Sequence, residues 1–122
     1  MKISIHQVES YITKDGSEIR ELISPEKDVR AYVSLAEATV VPGTGTRMHV
    51  HEKSQEIYHI TQGSGMMILG TEEFHVGPGD SVLIPANTRH SIKNTGAESL
   101  KILCFCSPAY THEDTVLLEP ES

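Results

Sequence analysis

Basic residues are scarce in this chain: 10 Lys and Arg stand against 17 Asp and Glu, a formal net charge of −7. A surface of that sign repels phosphate backbones and anionic lipid, so neither nucleic acid nor membrane is expected as a partner. Long apolar runs are missing too. The longest covers residues 102–106, and residues 1–15 contain no apolar core of signal-peptide length, so no membrane segment or export signal is read and a cytoplasmic location is expected. Only two cysteines occur, Cys104 and Cys106. They lie two apart in a strand-like stretch, where side chains share a face without the geometry of a relaxed disulfide, so both are expected as free thiols in a reducing compartment. Internal repeats, low-complexity tracts and linker-like stretches are absent. With 122 residues, a single domain spanning 1–122 is expected.

What is present is a succession of short apolar or β-branched runs at residues 31–41, 56–61, 65–70, 80–85 and 99–106. Turn-forming groups rich in Gly, Pro and Asn separate them at 42–45, 62–65, 77–80, 85–88 and 94–98. Short strands at this spacing, with almost nothing of helical period, read as an all-β sandwich or barrel. Residues 1–30 show turn signals around short polar strands and carry no specific motif. Residues 107–122 form an acidic tail expected to lie over the domain or over a partner subunit.

Chemistry-bearing residues concentrate between positions 43 and 94. One segment runs Gly43, His49, His51, Glu56, Gly63. In a strand, His49 and His51 project from one face, and a turn through 52–55 is expected to return Glu56 on the antiparallel neighbour, so that two imidazoles and a carboxylate converge. A second segment runs Gly79, Pro85, Asn87, His90, Asn94 and adds a third imidazole after a turn in which Asn87 can take the left-handed backbone usually given to Gly. Any one of these side chains alone would be unremarkable. Four at this spacing, turned into a barrel, would be costly to bury without a cation.

These two segments resemble the two motifs of the cupin superfamily. The first matches at Gly43, His49, His51, Glu56 and Gly63; the second matches at Gly79, Pro85, His90 and Asn94 and differs at Asn87, where Gly is common. The resemblance implies a double-stranded β-helix, or jelly roll, of the small single-domain type. It implies one divalent transition metal per chain, held inside the barrel by His49, His51, Glu56 and His90. Three nitrogens and one oxygen suit Fe, Mn, Co, Ni, Cu or Zn.

Around that site, Arg47 is two residues before His49 and would share its inward face if the strand stays regular, where it could receive a substrate carboxylate. Tyr58, two beyond Glu56, is a candidate proton donor. Met66, Met67 and Ile68 supply an apolar wall. In the closing strand either Ile102, Cys104 and Cys106 or Leu103 and Phe105 face inward, the cysteines then acting as small hydrophobes. His59 alternates outward, and Tyr110 and His112 are the tail residues that could reach a pocket. The expected function is a metal-dependent enzyme acting on a small anionic or oxygen-rich molecule, with oxidative cleavage of the dioxygenase type first. Isomerase, lyase or decarboxylase chemistry is the alternative, and a non-catalytic binding or sensing barrel is the reading from another class. Edge strands and an apolar outer face point to a homodimer.

Overall fold

Along residues 55–62 the side chains of Glu56, Tyr58 and Ile60 are buried while Gln55, Ile57 and Thr61 are exposed. That period of two is what a strand with one covered face requires. The computed structural model describes residues 1–118, and the tail residues 119–122 named above lie outside them. It contains eleven strands: β1 Tyr11–Ile12, β2 Glu18–Ile23, β3 Ser34–Val40, β4 His49–His51, β5 Gln55–Gln62, β6 Gly65–Leu69, β7 Glu72–Val76, β8 Ser81–Ile84, β9 His90–Asn94, β10 Leu100–Ser107 and β11 Thr115–Leu117. A single turn of 3-10 helix, Ile5–Gln7, precedes them. No helix among the described residues is long and apolar enough to cross a membrane.

The strands form two antiparallel sheets, ordered β1-β2-β3-β10-β5-β8 and β11-β4-β9-β6-β7. They face each other as the jelly-roll barrel expected from the motifs. Val40, Ile60, Met67, Ile84, Ile92, Leu100 and Ile102 fill the interior between them, each no more than 3% exposed. Each such aliphatic side chain contributes roughly 1.5–3 kcal/mol by leaving water.

Turn chemistry holds the layers in register. Gly63 has φ +84, and a Cβ there would meet the Ser99 carbonyl oxygen at 2.9 Å, so the β5–β6 turn admits no side chain. Asn87 takes the left-handed backbone as expected, with φ 60, and its N–H donates to the His51 carbonyl at 2.7 Å, joining the two motif segments. Asn94 is structural: its Nδ2 donates to the carbonyls of Val40 and Glu98, and its Oδ1 accepts from the Gly96 N–H.

One expectation is corrected by the topology. β5 is not the hydrogen-bonded neighbour of β4; the chain crosses at residues 52–54 from one sheet to the other. The crossing is pinned by Asp114, whose carboxylate accepts from the backbone N–H of Lys53 at 2.8 Å and of Ser54 at 3.0 Å. Glu56 therefore meets the histidines from the facing sheet. The described part of the tail and the first 30 residues also find definite places: β11 pairs with β4, and β1 and β2 extend the sheet that carries β3. In β10 the inward set is Ile102, Cys104 and Cys106. On β6, Met67 alone of the expected wall is fully buried, with Met66 and Ile68 half-buried on the opposite face.

Candidate metal centre

His49 and His51 leave β4 on the same side, and His49 is the cross-strand partner of His90 on β9. The three rings pack edge-on or tilted, with centroids 4.2 Å apart for His49 and His90, 5.0 Å for His49 and His51, and 5.3 Å for His51 and His90. One nitrogen from each ring lies within 4.8 Å of the others, a separation that lets three imidazoles share a cation. All three residues are at most 4% exposed.

The opposite nitrogen of every ring is committed. Nδ1 of His49 lies 2.7 Å from the Arg47 carbonyl oxygen, and Nδ1 of His90 lies 2.9 Å from that of Thr88. A carbonyl only accepts, so both Nδ1 atoms carry the hydrogen. Nδ1 of His51 lies 3.1 Å from Thr115 Oγ1, whose own hydrogen goes to the Thr111 carbonyl at 3.0 Å, so here too the ring donates. In each neutral ring, Nε2 is left with its lone pair facing the interior, the tautomer a metal ligand needs.

Glu56 tests whether a cation fits. Its Oε1 stands 3.0 Å from His51 Nε2 and 3.5 Å from His90 Nε2. Yet Glu56 Oε1 and His90 Nε2 are buried with no hydrogen-bond partner of acceptable geometry. Acceptor atoms crowded together in a dry site repel one another unless positive charge lies between them. Burial pushes the Glu56 carboxyl up, while the His51 and His90 imidazoles, whenever no metal is bound and they carry a proton toward it, pull it down to about 2. The donor set suits a divalent transition metal. Burial above all, with the adjacent His90 imidazole opposing a second proton there, lowers His49 to about 4, so that ring stays neutral and available as a ligand at ordinary pH.

Residues 36–106 match the cupin domain family. The chain belongs to that family. Among its relatives is the uncharacterized protein MJ1618 of Methanocaldococcus jannaschii, 48% identical over 119 residues that cover 98% of this chain and 95% of the relative. SchB of Streptomyces halstedii is 26% identical across 81% of this chain and 72% of its own length. Solved structures of the same fold include a Thermotoga maritima protein described as a predicted oxalate decarboxylase, with TM-score 0.78 and 25% identity over 88% of this chain and 99% of that one. They also include Pac13, a nucleoside dehydratase, with TM-score 0.77 and 20% identity over 100% of this chain and 93% of that one.

In this cupin His49, His51 and Glu56 sit at the wall of a cavity of about 50 Å³, space on the order of three or four water molecules. Tyr58 borders it as expected, its ring 5.9 Å from that of His90. Burial first, then the charge of Glu56, raises the Tyr58 phenol well above its ordinary value, so it stays protonated. Arg47 is placed differently: β4 begins only at His49, and Thr46, not Arg47, borders the cavity. The alternation that would have turned Arg47 inward fails because Thr46 bonds to Ile92 through its backbone and side chain, while the Arg47 N–H donates to the Asp15 carbonyl at 2.8 Å. Arg47 serves the centre through its backbone, by orienting His49.

Cys106 Sγ lies 3.4 Å from Glu56 Oε2 and donates to it. Burial, reinforced by Glu56, raises the thiols of both Cys104 and Cys106, so they act as small, unreactive side chains. His59 points outward to Ser81 Oγ. Of the two tail candidates, Tyr110 reaches the cavity, its ring 5.7 Å from His51, while His112 bonds to the Tyr110 hydroxyl from behind.

Asp15 is the site residue that the motifs did not point to. It sits in the turn between β1 and β2, 9% exposed, with Oδ2 3.7 Å from His49 Nε2. Its Oδ1 accepts from the Ser17 N–H and hydroxyl. The Asp15-Gly16 pair marks a hairpin in the sequence. Only the fold shows that the hairpin tip covers the cavity.

Proposed function

We propose that this cupin is a metal-dependent enzyme acting on a small oxygen-rich molecule, with one divalent transition metal held by His49, His51, His90 and Glu56. The observation that carries it is the set of inward Nε2 lone pairs beside an unpartnered, buried Glu56 oxygen. Such an ion, when bound, supplies Lewis acidity toward a substrate oxygen.

The chain's own residues point to proton-transfer chemistry of the lyase or isomerase kind. Tyr58 keeps its proton and can donate it to a substrate oxygen, and Asp15 offers a carboxylate oxygen on the His49 side to receive one. The hairpin tip and the tail cover the cavity together: Tyr110 meets Thr13 Oγ1 at 2.9 Å, and Lys14 Nζ donates to the carbonyls of His112 and Thr115. Oxidative cleavage would use the same metal donors, but Asp15 and Tyr58 favour acid-base work.

The test is elemental analysis of protein purified without added metal or chelator, followed by oxygen uptake and substrate turnover on metal-reloaded samples. Stoichiometric metal with turnover and no oxygen consumption is expected. Substrate-dependent oxygen uptake by the iron form would replace this chemistry with the oxidative one, and a chain without metal affinity would leave a ligand-binding barrel.

A homodimer belongs to the same proposal. Leu35, Phe105, Ile57 and Leu83 stand in one register across β3, β10, β5 and β8 on the outer face of the sheet. Three of them are at least 36% exposed, an apolar row that a second copy would cover.

A further inference from the structure

Charge around the cavity is one-sided. Three carboxylates border it, Asp15, Glu21 and Glu56, and among the described residues that border it there is no Lys or Arg. Lys14, the neighbour of Asp15, spends its ammonium group on tail carbonyls. Glu56 is 5% exposed with an unpartnered oxygen, and Asp15 is 9% exposed with Oδ2 facing the metal-side nitrogen of His49. A divalent cation among neutral imidazoles carries charge +2, and the carboxylates of Glu56 and Asp15 cancel it. The half-buried Glu21 adds a further negative charge. An anionic substrate entering here would find no cation left to pair with and at least one carboxylate at close range in a site of low dielectric.

Resting on the metal-dependent reading above, we propose that this cavity takes an uncharged, hydroxyl-bearing small molecule and rejects small carboxylates, with Asp15 as the residue that sets the preference. Oxalate, a dianion, is excluded as the substrate class despite the likeness to a protein described as a predicted oxalate decarboxylase. The remaining lining fits an uncharged guest. Oδ2 of Asp15 accepts a substrate hydroxyl, the Tyr58 phenol donates to a substrate oxygen, and Ala36, Ala38 and Cys104 give a small apolar wall.

The test compares glycolate with glycolamide, which match in size and hydroxyl and differ by one charge. The full chain is loaded with cobalt(II), its metal content is measured by elemental analysis, and the visible spectrum is followed on titration with each probe. Glycolamide is expected to bind wild type at least as tightly as glycolate. Asp15→Asn keeps the Oδ1 that accepts from Ser17 and should tighten glycolate on the order of tenfold without tightening glycolamide. Glu21→Gln, at a more exposed position, should act in the same direction by less. A cobalt-loaded wild type that prefers glycolate, with neither substitution changing that preference, overturns the inference and leaves the metal reading standing. A chain that takes up no cobalt removes both.

Discussion

Thr115 Oγ1 lies 3.1 Å from His51 Nδ1 and hands its own hydrogen to the Thr111 carbonyl, so one hydroxyl from the last described strand sets the tautomer of a residue in the first motif. Without that acceptor, His51 can place its hydrogen on Nε2 and lose its lone pair toward the interior. Thr115→Val keeps shape and removes the acceptor. Metal affinity is expected to fall roughly 10–100-fold, while Thr115→Ser retains it. Competition with a chromophoric chelator measures both, and an unchanged affinity in Thr115→Val would show that His51 is oriented by other means.

How much of this was legible from the chain alone differs residue by residue. His49, His51, Glu56 and His90 were readable because alternation and turn spacing are local properties, and each of the four is buried at the centre. Alternation says which face a residue takes and nothing about which sheet its strand joins, so the crossing of the chain between β4 and β5 could not be read. Arg47 escapes alternation for a related reason: period two holds only inside a strand, and long-range bonds from Thr46 to Ile92 and from Arg47 to Asp15 delay the start of β4. Asp15 and Tyr110 reach the cavity through the docking of the chain's two ends on each other, by Thr13 with Tyr110 and Lys14 with His112. Contacts separated by 97 and 98 positions leave no periodic trace in the sequence.

The metal-free protein should lose stability in acid, in two overlapping steps. Burial and His90 lower His49 from 6.5 to about 4 in the fold, so between those values the unfolded chain binds more protons. Stability is therefore fully present above pH 6.5 and falls as pH drops toward 4, by on the order of 3 kcal/mol. Glu56, at about 2 in the fold against an ordinary 4.5, contributes stability present above pH 4.5 and lost toward 2. Melting temperatures of the chelator-treated protein between pH 7 and pH 4.5 should decline, and His49→Gln should flatten that decline. A wild-type curve level across this range would contradict the burial of a neutral His49.

Gly63 offers a check on the turn that joins β5 to β6. Alanine there meets two obstacles at once, a backbone with φ +84 and the Ser99 carbonyl oxygen at 2.9 Å from the new Cβ. Gly63→Ala is expected to cost about 2 kcal/mol or more, whereas Gly77→Ala, with no atom within 4 Å and no positive φ, should change stability by about 0.5 kcal/mol at most. Urea unfolding of the two variants side by side decides it, and equal midpoints would mean the turn relaxes without loss.

The outer face of the six-stranded sheet gives the last prediction. Phe105 and Leu83 are 36% and 52% exposed, and both are strand neighbours of Ile57, which is 38% exposed. A charge introduced in that row would be buried unpaired if a second copy covers it, and would sit harmlessly in water if nothing does. Leu83→Lys should therefore shift light-scattering mass from dimer toward monomer while the metal content stays near wild type, because the side chain points away from the cavity. Lys93→Glu, a charge change on an exposed position of the other sheet, should leave the mass unaltered. A wild-type chain that scatters as a monomer at all concentrations would leave this apolar row without a second copy to cover it, and the Leu83 variant would then match wild type in every respect.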